Sequence, residues 1–138
     1  MTIEIITRNC LAQTEVIGSN NSKGEKDMAL KIEFIRNAGG CIVSNNILSG
    51  QGKLKWLFRE EPVNKDDNGW RFFSEVDDDK FINSPENLTV CDFNTVAEIE
   101  PAILGIYHFP IGSDMQLIRE NGEISFSDNK TGKKVNIV

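Results

Sequence analysis

The chain has 138 residues, 39% of them hydrophobic and 26% charged, with a formal net charge of −6, a globular composition long enough for one ordinary core and not that of a disordered segment. No run approaches the ~20 apolar residues of a membrane span, and the first ten residues, with Glu4 early, lack a signal-peptide pattern, so a cytoplasmic setting without a membrane partner is expected. The charge is uneven, net +3 over residues 1–59, −9 over 60–100 and zero over 101–138, and such an acidic middle repels nucleic acid and attracts basic partners.

In chain order, Thr2 to Arg8, with Ile3, Ile5 and Ile6, predicts a strand, and the polar residues 18–27 a loop. Residues 28–36 fit two periods. Met28, Ile32 and Ile35 share a helical face, while Leu30, Ile32 and Phe34 alternate as in a strand; helix is slightly favoured. Cys41 to Val43 predicts a short strand and Asn45 to Gly52 a polar turn. Lys53 to Glu60 alternates, placing Leu54, Trp56 and Phe58 on one face. Trp70 to Ser74 is its hairpin partner across a long loop, with Trp70 and Phe72 on one face and one of Arg71 and Phe73 turned outward.

Asp77 to Asn83 predicts one helical turn, with acids at its start and Pro85 as its stop. Leu88 to Phe93 is another strand. Thr95 and Glu98 have capping-box spacing and Glu100-Pro101 is a helix entry, so 95–107 is one kinked helix or two short ones. Asn121-Gly122 between Met115–Glu120 and Glu123–Phe126 is the strongest hairpin signal, and Lys133–Val138 a candidate last strand. The sum is an α+β chain, a mostly antiparallel sheet of short strands with two or three short helices.

Several patterns carry candidate chemistry. Asn64-x-Asp66-x-Asn68-Gly69, with Glu75 as twelfth position, fits a calcium loop except at its first residue. Its flanks, Pro62 and the strand-like Trp70–Phe73, fit a polar hairpin loop instead. Cys10, Cys41, Cys91 and the lone His108 are too scattered for a zinc set and read as reduced thiols and a structural imidazole. A hydrolase using His108 with Cys91 or Cys41 is the least favoured alternative; neither a nucleophile elbow nor a phosphate loop occurs. Neither cofactor nor metal is expected. Asp77-Asp78-Asp79 reads as a solvated face or a docking surface.

Gly39–Ser44, Arg59-Glu60-Glu61-Pro62 and Asp67–Ser74, the last containing Gly-Trp-Arg-Phe-Phe-Ser, are one set of segments. With Pro85–Asn87, Asn94–Ala97 and Pro110–Ser113, they resemble a bacterial family first filed as a domain of unknown function and grouped as immunity protein thirty-three. The resemblance covers about residues 39–120, making 1–38 an extension packed on that core within one domain of residues 1–138. Family members often have Ser where this chain has Asn68 and Gly where it has Glu75. The resemblance implies a non-catalytic protein that neutralises a cognate protein toxin, for instance a basic nuclease. With the acidic middle, it makes Glu60, Glu61, Asp66, Asp67, Asp77, Asp78 and Asp79 the candidate partner-binding residues. The alternative is a small-molecule or metal-binding regulatory domain.

Overall fold

In a computed structural model that describes residues 33–136, six strands form one sheet in the order β4-β1-β3-β2-β5-β6. They are β1 (Gly40–Ser44), β2 (Leu54–Arg59), β3 (Asp67–Ser74), β4 (Leu88–Asp92), β5 (Asp114–Glu120) and β6 (Glu123–Asp128). Only β1 and β3 run parallel; every other neighbouring pair is antiparallel. Three short α-helices, α1 (Asn45–Ser49), α2 (Asp79–Ile82) and α3 (Phe93–Ile99), accompany 3-10 turns at Pro85–Asn87 and Pro101–Ile106. The α+β architecture therefore stands. The strand expected at 2–8 and the loop at 18–27 lie outside the described residues. Of the ambiguous 28–36 segment, residues 33–36 are irregular, ending in bends and a turn, and the rest lies outside.

Local chemistry explains most of these elements. The segment 45–52, expected as a turn, contains α1. Ser44 Oγ accepts the Asn46 N–H at 3.2 Å, and Gly50 closes the helix at φ 82° with its N–H on the Ile47 carbonyl. α3 begins earlier than its capping-box spacing suggests, because Asp92 Oδ1 takes the Asn94 N–H at 2.8 Å. The 95–107 stretch is thus two short helices, the second entered at Pro101. Asn121 and Gly122 both have positive φ, 52° and 78°, as the tight β5–β6 turn requires. Of the last strand expected at 133–138, residues 133–136 show an isolated bridge, Ser127 to Lys134, and the rest lies outside the described residues.

One sheet face is fully covered. Cys41, Val43, Leu57, Trp70 and Phe72 meet Ile47 of α1, Phe93 and Val96 of α3, and Ile103 and Ile106 of the following turn. Phe72, Phe93 and Tyr107 form an aromatic chain with centroid separations of 5.8 and 4.8 Å. The opposite face carries a smaller cluster, Ile42, Phe73 and Leu88 under Ile82 of α2.

The simple alternation expected in β2 is corrected. Between Leu54 and Trp56 the pairing with β3 slips by one residue. Such a bulge reverses the side-chain faces beyond it. Leu54 and Leu57 therefore enter the covered core, whereas Trp56 stays 40% exposed and Phe58 half-buried on the other face.

Candidate functional site

Arg71 is the largest surprise of the sheet. One of Arg71 and Phe73, which share the face opposite Trp70, is expected to turn outward, yet both are buried, and Arg71 is wholly so. Its Nη1 and Nη2 donate to the two Asp67 oxygens at 2.8 and 2.7 Å, and its Nε to Glu60 Oε2 at 2.6 Å. Burial disfavours charge on Asp67, but the Arg71 fork and the N–H groups of Gly69 and Val63 outweigh it and hold its carboxyl below the usual range. Burial likewise opposes the guanidinium, and Asp67 and Glu60 outweigh it.

Glu60 and Asp67 thus point inward. Gly69, at φ 90°, lies where an added Cβ would sit 2.2 Å from the Glu60 carbonyl oxygen. Arg59 donates Nε to the Asn68 carbonyl and Nη1 to the Phe109 carbonyl, both at 2.8 Å, and Gly112 donates its N–H back to the Arg59 carbonyl at 2.7 Å. The Trp70 indole N–H reaches the Tyr107 carbonyl at 3.1 Å. The Arg-Glu-Glu-Pro, Asn-Gly-Trp-Arg and Pro-Ile-Gly-Ser segments therefore meet in one structural knot.

Those residues also account for the calcium-loop pattern. Asn64 Oδ1 accepts the N–H groups of Asp66 and Asp67, Asn68 Oδ1 that of Trp70, and Glu75 Oε2 that of Lys53. The three side chains serve separate backbone turns. No cluster of three or more His, Cys, Asp or Glu suited to a metal occurs among the described residues.

The other acids build a different site. Beyond the end of β3, Asp77, Asp78 and Asp79 rim an open groove of about 450 Å³. Its walls are Trp56, Phe58, Phe73 and Ile82, and Asp114 of β5 closes the rim. Phe58 and Phe73 stack at 5.8 Å with 19° between planes. Asp77 is fixed by the Ser74 N–H (2.7 Å) and Asn46 Nδ2 (2.8 Å), Asp78 by the Phe81 N–H (2.8 Å) as cap of α2, and Asp114 by Asn129 Nδ2 (2.7 Å). Among the described residues, Asp79 makes no side-chain hydrogen bond or ion pair, and no Lys or Arg lines the groove.

Of the seven acidic candidates, the structure gathers Asp77, Asp78 and Asp79 around the groove. It turns Glu60 and Asp67 onto Arg71 and leaves Glu61 and Asp66 exposed on the β2–β3 connection, beyond the other end of β3. Sequence reading missed Trp56 and Phe58 as groove walls because of the bulge, and Asp114 because it arrives from a distant strand.

The remaining nucleophile candidates are poorly placed for catalysis. Cys41 is wholly buried in β1 opposite Cys91 of β4, and burial first, then the Cys91 thiol, push its pKa well up, away from the reactive thiolate. His108 lies exposed with its ring edge-on to Tyr107 at 5.0 Å.

The model of the Immunity protein Imm33 domain matches residues 41–127, more than half of the chain. The chain belongs to that family. The Imm33 span takes in the whole knot around Arg71 and all four groove walls, as well as Asp114. Membership in an immunity protein family implies binding to a cognate toxin. No curated protein and no solved structure matches the chain. No helix among the described residues is long and apolar enough to cross a membrane.

Proposed function

We propose that this Imm33 chain is a non-catalytic immunity protein that neutralises a cognate bacterial toxin by binding it in the cytoplasm. The observation that carries the reading is the pairing of family membership with an acidic, aromatic-lined groove that no basic side chain among the described residues lines. Charge complementarity of that kind speeds encounter with a basic surface and disfavours wrong partners. Asp77, Asp78 and Asp79 form the centre of the contact, with Glu61 and Asp66 at a second exposed margin. Glu60 and Asp67 act through Arg71 by holding the sheet in shape.

The test is protection. The protein encoded beside this chain is expressed in a sensitive host, alone and with the chain. Restored growth, with a stable complex of the two purified proteins, is the expected result. Continued killing despite folded, abundant chain would overturn the proposal.

A further inference from the structure

We propose that the groove is a socket for an arginine side chain of the protein partner, its guanidinium lying on the Trp56 ring inside the Asp77–Asp79 and Asp114 rim. The inference rests on the immunity reading only for the partner being a protein; the chemistry of the socket is argued from the groove alone.

Its shape fits. About 450 Å³ lies within the range of ligand-sized clefts and accommodates one long side chain with flanking main chain. Its floor is aromatic, Phe58 stacked on Phe73, and Trp56 keeps 40% of its surface exposed at the edge. A tryptophan so placed is an unusual surface residue and a common anchor of protein interfaces.

Its charge selects the occupant. Four aspartates line the groove, no lysine or arginine among the described residues lines it, and none of the four forms an ion pair among those residues. A purely apolar insert would strip water from these carboxylates and leave them unanswered. An anion would be repelled. A metal lacks convergent ligands among the described residues, since Asp77, Asp78 and Asp114 are each tied to separate backbone or amide donors.

A lysine ammonium answers the charge but is compact and strongly hydrated. Arginine alone combines a weakly hydrated plane that stacks on aromatic rings with five donors for surrounding carboxylates. Asp79, exposed and with no side-chain partner among the described residues, is the rim residue most available to it.

The experiment uses the full chain and three blocked amino acids, N-acetyl-arginine amide, N-acetyl-lysine amide and N-acetyl-citrulline amide, followed by two-dimensional NMR. The Trp56 indole N–H reports the groove. The Trp70 indole N–H, bonded to the Tyr107 carbonyl, is the internal control. Arginine is expected to shift the Trp56 signal saturably, lysine more weakly, and uncharged citrulline not at all, with Trp70 unmoved. Asp79→Asn with Asp114→Asn is expected to weaken arginine binding about tenfold.

Absence of a Trp56 shift with arginine, or an equal shift with citrulline, would overturn the socket. The protection assay separates this result from the immunity reading. A chain that takes arginine but protects against no toxin retires the immunity reading and keeps the socket. A chain that protects but ignores arginine does the reverse.

Discussion

Arg71 enters the sheet with its charge fully matched: Asp67 holds it bidentate and Glu60 holds the third edge. Removing one partner of a buried pair leaves the other uncompensated, which costs about 3–5 kcal/mol. Arg71→Met is therefore expected to destabilise the fold by about that amount, whereas Arg71→Met combined with Asp67→Asn costs less, since the Asn oxygen can still accept the Gly69 N–H. Urea unfolding of the single and double variants measures the difference. The same pair sets an acid limit. Asp67 has a folded pKa below its unfolded value of ~3.9, so its contribution is complete above that pH and falls away as pH drops through the folded value. Unfolding midpoints should hold near neutral pH and decline below about pH 4, and the decline should be shallower in the double variant. Gly69 is as constrained as Arg71, for a backbone reason. Gly69→Ala adds a Cβ 2.2 Å from the Glu60 carbonyl at a φ of 90°, and about 2 kcal/mol or more of lost stability is expected in the same assay.

At the scale of elements, the bulge in β2 decides which side chains are core and which are groove. Leu57 is wholly buried and Trp56 is 40% exposed, although the two are neighbours in a strand. Leu57→Ala is expected to cost about 2–5 kcal/mol and Trp56→Ala much less, as thermal or urea unfolding would show. Plain alternation predicts the opposite order. This is where the sequence misleads. Leu54, Trp56 and Phe58 satisfy period two perfectly, and nothing in their side chains announces a one-residue slip against β3. α1 escaped notice for another reason: five residues are too few for helical periodicity, although Ser44 and Gly50 were both available as its caps. By contrast, the β5–β6 hairpin, the α2 turn and the strand-like Trp70–Ser74 were readable because turn chemistry and β-branched or aromatic runs act locally. Arg71 lies among acids in the sequence, with Asp67 four residues before it. Its full burial depends on how β3 sits between β1 and β2, which no local pattern encodes.

For the whole molecule, the acidic middle divides into two kinds of residue. Glu60 and Asp67 are spent inside the knot that joins β2, β3 and the Pro110–Ser113 turn, while Asp77–Asp79, joined by Asp114 from outside that stretch, line an open groove. The segments that reveal the family are thus largely those that hold the fold, and the groove borrows its rim from elements far apart in sequence. A division of this kind lets the scaffold stay fixed while the surface presented to a partner is set by few side chains. It also explains why the acidic cluster was visible in the sequence but its geometry was not. The most direct test of the account is the association rate of this chain with the cognate toxin proposed for it, measured at low and moderate salt. The comparison is between the native chain and a Glu61→Lys, Asp66→Lys, Asp79→Lys variant of unchanged unfolding midpoint. The account predicts that salt slows the native chain steeply, and that the variant associates more slowly with a weaker salt dependence. Equal rates and equal salt dependence in the two chains would contradict it.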